Sequence, residues 1–193
     1  LTRYFPLSPG DRHRYQTGAL RVASGVTAID ANGVAAIVDD AGSPVTRVRA
    51  TDARVEITDP EGRALTPLLV APLSAGAKWQ FAPDATSSCE ARVLRLDVDA
   101  VAAGVTLTRC VEIETSCGVG QPLEGAATRH VRTDTYCPDV GRVHMVSRFE
   151  PPPADGAGPV QSEIVSWRVA RGPLPPRTGD LCAGLILLPS DII

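Results

Sequence analysis

Seven side chains in this 193-residue sequence have types and spacings that could do chemistry: His13, His130 and His144, and the acids Asp97, Asp99, Glu112 and Glu114. Three imidazoles would suit a divalent metal such as zinc if their strands adjoin. The four acids flank a Val-Ala-Ala-Gly stretch and would face one another across a hairpin, where they could hold a cation or act as an acid–base pair. Each group also has an ordinary role, since isolated strand histidines usually pack or face water, and acids alternating with Arg and Thr mark a solvated strand face. No G-x-S-x-G elbow, H-E-x-x-H helix, P-loop or G-x-G-x-x-G fingerprint occurs. The Gly-rich CGVGQPLEG opens no periodic helix of the kind that cradles a phosphate. The sequence thus predicts no catalytic, cofactor-binding or metal-binding residue, and a protein that is not an enzyme.

The five cysteines, Cys89, Cys110, Cys117, Cys137 and Cys182, form no C-x-x-C pair, and none has a histidine within local reach of two thiols. Disulfides in an oxidising compartment fit better than a zinc site. Pairing follows from hairpin register. VLRLDVDA and VTLTRCVEIE are joined by Ala-Ala-Gly, so residues whose numbers sum to about 206 lie opposite, and Cys89 meets Cys117. The next hairpin, turning through GVGQPLEG, carries Cys110 to the row of Cys137. Cys182 is left over.

The elements that must position these residues are strands. Seventeen Gly and seventeen Pro are spread along the chain, and few windows hold a 3.6-residue apolar period long enough for a helix. Period-two alternation is common instead. In ARVEIT, Ala53, Val55 and Ile57 share one face opposite Arg54, Glu56 and Thr58, and DPEG follows as a reversing turn. Leu94, Leu96 and Val98 oppose Arg95, Asp97 and Asp99. The next strand places Val105, Leu107, Val111 and Ile113 on one face, and RHVRTDTY, RVHMVSRFE and SEIVSWRVA complete the set, the last with Val165, Trp167 and Val169 aligned. The predicted fold is mainly β with few or no helices: a curved antiparallel sheet, sandwich or half-barrel.

A repeat subdivides it. FPLSPGDRHRY (Phe5 to Tyr15) and APLSAGAKWQF (Ala71 to Phe81) share Pro-Leu-Ser-x-Gly followed by rings at alternate positions. Residues 1–172 are expected to form one β domain of two related segments, about 4–70 and 71–172. Pro and Gly make the turn that feeds each strand, and Tyr4, Phe5, Tyr15, Trp79 and Phe81 are read as core-side anchors, Trp79 the most important.

The order YFPLSPGDRHRY, APLSAGAKW, AAGVTLTRCVEIE and TYCPDVGRVHM, across residues 4–150, resembles a family of bacterial cell-envelope lipoproteins and exported proteins. Its members open on Tyr-(Phe/Tyr)-Pro-Leu-x-x-Gly-Asn-x-Trp-x-Tyr, repeat Pro-Leu-x-x-Gly-x-x-Trp and close on Tyr-x-Pro-Gly-Val-Gly-x-Val. Asp11 and His13 stand where that pattern has Asn and Trp, and Asp139 where it has Gly. The resemblance implies an exported, mainly β domain and no particular activity.

Composition agrees with that location. A net charge of −3 and a pI near 5.6, with the arginines scattered among acids, supply no field for nucleic acid. The sequence opens at Leu1 with no charged or apolar leader, as expected where a targeting segment has been removed or the chain trimmed. At the other end, Pro173, Pro175 and Pro176 make a stiff linker to an apolar run, Leu185, Ile186, Leu187 and Leu188. That run is expected either to return as an edge strand of its own domain or to dock on a neighbouring subunit, with Cys182 buried or paired between chains. The reading that follows is a structural or interaction protein of the envelope, bound to other envelope proteins or to copies of itself. The alternative is a module whose curved sheet shelters a lipid. A side-chain-filled interior favours the first and an open apolar groove the second.

Overall fold

The computed structural model describes residues 1–85, 87–118, 129–152 and 158–168. After a 3₁₀ turn at Thr2–Tyr4 the chain runs through twelve strands. These are β1 (Arg12–Thr17), β2 (Leu20–Ile29), β3 (Val34–Val38), β4 (Pro44–Ala50), β5 (Arg54–Thr58), β6 (Ala64–Val70), β7 (Lys78–Phe81), β8 (Cys89–Ala102), β9 (Val105–Gly118), β10 (Arg129–Cys137), β11 (Gly141–Glu150) and β12 (Val160–Arg168). All ladders are antiparallel, in the order β6-β5-β4-β3-β2-β1-β12-β11-β10-β9-β8-β7. Two six-strand meanders, β1–β6 and β7–β12, therefore join where β12 returns beside β1.

The apolar face decides the shape. Val48, Val55 and Leu69, near one end of the strand order, share a buried cluster with Ala91, Val93, Val111 and Ile113, near the other. Those side chains meet only if the sheet curls, and it does so into a nearly closed barrel. The seam lies between β6 and β7, which share no ladder. Pro67 of β6 lacks the N–H that an exposed edge would offer, and its carbonyl accepts from Trp79 Nε1 of β7 at 3.4 Å.

The two Pro-Leu-Ser-x-Gly segments occupy matching places at the start of each meander. Gly10 N–H donates to the Val26 carbonyl and Asp11 N–H to Ser8; Gly76 N–H donates to the Val93 carbonyl and Ala77 N–H to Ser74. Both glycines have positive φ, 96° and 78°, which explains the one invariant of the repeat that a side chain would strain. The expected DPEG turn forms, with Gly62 N–H donating to Asp59 O. The same Asp-x-x-Gly hydrogen bond closes DANG at Asp30–Gly33 and DDAG at Asp39–Gly42. In each, Oδ1 of the Asp also accepts the N–H four residues on, from Val34, Ser43 or Arg63. Asp30→Ala, Asp39→Ala and Asp59→Ala are each expected to cost about 1 kcal/mol, read as shifts in urea midpoint.

The anchors differ in depth from the expected ranking. Tyr15 is 2% exposed and Phe5 8%, each in a separate core cluster, whereas Trp79, Phe81 and Tyr4 are partly buried against the cluster of Phe5. Trp79→Ala is accordingly expected to cost about 2 kcal/mol, below the roughly 3–5 kcal/mol of a fully buried ring, as measured by chemical denaturation. Three residues depart from their expected burial. Glu56, assigned to the solvated side of β5, is 5% exposed and pairs with Arg49. Val105 lies opposite the buried Ala102 but is 49% exposed, because it stands at the tip of the β8–β9 hairpin. In β12 the ladder to β1 skips Val165, so Ile164 takes the core position. Val169, Pro173, Pro175, Pro176, Cys182 and Leu185 to Leu188 lie outside the described residues.

Candidate functional site

The structure joins Cys89 to Cys117 and Cys110 to Cys137. Cys89 lies opposite Cys117 in the β8–β9 ladder, as a register sum of 206 requires, and Val111 opposite Tyr136 brings the preceding Cys110 level with Cys137. The Cα atoms are 4.1 and 4.2 Å apart. The two bonds stitch β8, β9 and β10, the longest run of the sheet. They fit an extracytoplasmic location, where thiols are not held reduced.

The histidines and acids do not converge. His13 on β1 lies with Nε2 2.7 Å from the Val140 carbonyl, while His130 Nε2 on β10 meets Ser147 Oγ. His144 sits opposite Glu163 in the β11–β12 ladder. Among the described residues no three His, Cys, Asp or Glu side chains could share a metal. Glu112 takes both Arg95 donors, and Glu114 takes Arg92, so these acids belong to a cross-strand ion-pair ladder.

Asp11, Asp139 and His13, which differ from the motif pattern the sequence resembles, each take a structural role. Asp11 is fully buried and its Oδ2 accepts the Ser8 N–H at 2.6 Å. Asp139 holds a φ of 63°, a region Asp tolerates better than most residues, and takes the Arg3 guanidinium. His13 donates to Val140, next to that turn. Burial pushes the His13 pKa below its usual value near 6.5, so the unfolded chain protonates first. Stability should therefore fall as pH drops below about 6.5, by at most ~1.4 kcal/mol per pH unit, and level off below the folded pKa. His13→Gln, which can still donate, should flatten this slope in urea titrations between pH 7.5 and 5; an unchanged slope would assign it to other groups.

A buried charged cluster escaped the sequence reading. Arg132, Asp134 and Tyr136 alternate on the inner face of β10, with Asp134 only 1% exposed. Arg132 Nε donates to Asp134 Oδ2 at 2.7 Å, and Arg142 Nη1 on β11 reaches Oδ1 at 3.4 Å. The Tyr15 hydroxyl donates to the Arg142 carbonyl at 3.0 Å, and the guanidinium carbon stands 5.5 Å from the centre of the Tyr15 ring. The available signal was the Arg-Thr-Asp-Thr-Tyr alternation, which puts two charges on the face of a core tyrosine.

Two cavities bear on ligand capacity. One of about 20 Å³ is lined by Phe5, His13, Tyr15, Ser24, Val26 and Arg142, among others. A second of about 320 Å³ is polar, lined by Gln16, Gly18, His144, Gln161 and Glu163.

The nearly closed twelve-strand sheet, braced by two cross-strand disulfides, defines a barrel-like, disulfide-bonded β domain. No protein-family model matches the sequence, and no curated protein does. Among solved structures the chain is similar to a candidate exported protein with a YmcC-like fold from Bacteroides fragilis. The TM-score is 0.51 at 11% identity, over 86% of this chain and 98% of that one. It also aligns with a candidate lipoprotein from Parabacteroides distasonis, at a TM-score of 0.47 and 8% identity over the same shares. The Bacteroides fragilis likeness establishes a shared fold.

Proposed function

We propose that this chain is a non-enzymatic structural or interaction protein of the bacterial cell envelope or surface, an accessory or subunit of a larger assembly. The carrying observation is the small size of the cavity that core side chains line. The cavity with apolar walls, about 20 Å³, has room for a water-sized occupant and none for an acyl chain, and the larger one is polar. This favours an interaction role over a lipid carrier. The disulfides support an exported location in the periplasm, outer membrane or cell surface. The fold shared with a candidate exported protein agrees with it. Hairpin tips offer apolar contact points in Leu20, 63% exposed, and Val101, 73% exposed. In this reading Leu185 to Leu188, outside the described residues, are the segment that docks on a partner.

Native mass spectrometry of the protein isolated from its own cell envelope tests the reading. The expected spectrum shows self-association or a protein partner and no lipid. A stoichiometric lipid adduct would overturn it in favour of the carrier. Deleting residues 177–193 should leave a folded domain and abolish the association.

A further inference from the structure

We propose that Arg142 forms a buried binding site for one monatomic anion, of the chloride class, inside the barrel. The charges around it do not balance. Arg132 and Arg142, 7% and 6% exposed, share the single carboxylate of Asp134, so this cluster carries one positive charge in excess. Arg132 takes the better half of the carboxylate, at 2.7 Å, and leaves Arg142 a long contact of 3.4 Å. Arginine does not shed its proton to escape such a place, and an unbalanced buried charge is strongly unfavourable. The buried carboxylate of Asp11 is engaged by the opening turn through the Ser8 N–H.

Hydrogen bonding points the same way. Nε and Nη2 of Arg142 are buried and have no hydrogen-bond partner among the described residues. The Tyr15 ring, 5.5 Å away, offsets part of the charge through its face, while its hydroxyl hydrogen goes to the Arg142 carbonyl. Adjacent donors on one planar guanidinium converge on a single acceptor lying in their plane.

Space then selects the ligand. Arg142 lines the cavity of about 20 Å³, together with His13, Tyr15 and Ser24 on its polar side and Phe5 and Val26 on its apolar side. That volume admits a water or a single halide and excludes phosphate, sulfate or a carboxylic acid. A water would satisfy the two N–H groups but leave the charge. A halide satisfies both and, having only acceptor capacity, needs no acceptor of its own in return.

Thermal unfolding of the full chain in sodium chloride against sodium gluconate at equal ionic strength tests the site, because gluconate is too large to enter. The expected result is a melting temperature that rises with chloride along a one-site curve, and bromide should substitute. Arg142→Met leaves Arg132 and Asp134 as a balanced pair and should fold, with the chloride dependence gone. If that variant fails to fold, crystals of the wild-type chain soaked in bromide decide: an anomalous peak against Arg142 Nε and Nη2 is expected. Equal melting in chloride and gluconate, or bromide-soaked crystals without that peak, would overturn the proposal. So would an equal chloride response in folded Arg142→Met, which marks a general salt effect.

Discussion

Replacing Cys89, Cys110, Cys117 and Cys137 together with alanine is expected to lower the unfolding free energy by about 5–7 kcal/mol and to leave the domain largely unfolded near 37 °C. The bonds close spans of 28 and 27 residues, each worth roughly 3.5 kcal/mol of loop entropy. The spans overlap between Cys110 and Cys117, so their sum is an upper bound. Urea titration of native and substituted protein measures the loss. Burial adds an order to the chemistry: Cys110 and Cys137 are fully buried, whereas Cys117 is partly exposed. Mild reductant should therefore open Cys89–Cys117 first, with Cys110–Cys137 surviving until global unfolding. Alkylation and peptide mapping over time would show it, and early labelling of Cys110 would contradict this packing.

Asp134→Asn is expected to cost about 3–5 kcal/mol, although the side chain hardly changes shape. The substitution removes the one carboxylate between two buried guanidinium groups and leaves both charges without compensation. Packing loss cannot account for such an effect, which separates it from a core truncation. Substituting the whole cluster, Arg132→Met, Asp134→Leu and Arg142→Met, should recover most of the loss, because a triad replaced by apolar groups no longer has charges to desolvate. Equilibrium denaturation of the single and triple variants reads both terms. A cost for Asp134→Asn below about 1 kcal/mol would mean that water reaches the cluster.

Local signals were legible where their cause is local. Alternation at Leu96 and Val98 specified strand and inner face, because side chains of a strand point to opposite sides; at the bulge before them Val93, not Leu94, takes the core position. The Ala-Ala-Gly turn located the β8–β9 hairpin, which turns through Ala103 and Gly104, both at positive φ. The ladder leaves that turn with Ala102 opposite Val105, and Cys89 meets Cys117 only after register shifts between Val93 and Ala100. Two of the three Asp-x-x-Gly turns went unread although DANG and DDAG carry the same signal as DPEG. A face was misread where a bulge intervened, at Val165, since one inserted residue breaks the alternation of side chains.

The sequence by itself determined an antiparallel β chain, the place of its central hairpin and the turns that open each meander. These depend on φ/ψ preference and period-two alternation, which act over a few residues. Only the tertiary structure decided that the sheet curls until Trp79 reaches Pro67, and that Arg132, Asp134 and Arg142 share one dry interior. Curling and burial are set by which distant strands meet across the barrel, and the charge balance of a buried cluster exists only once they have met.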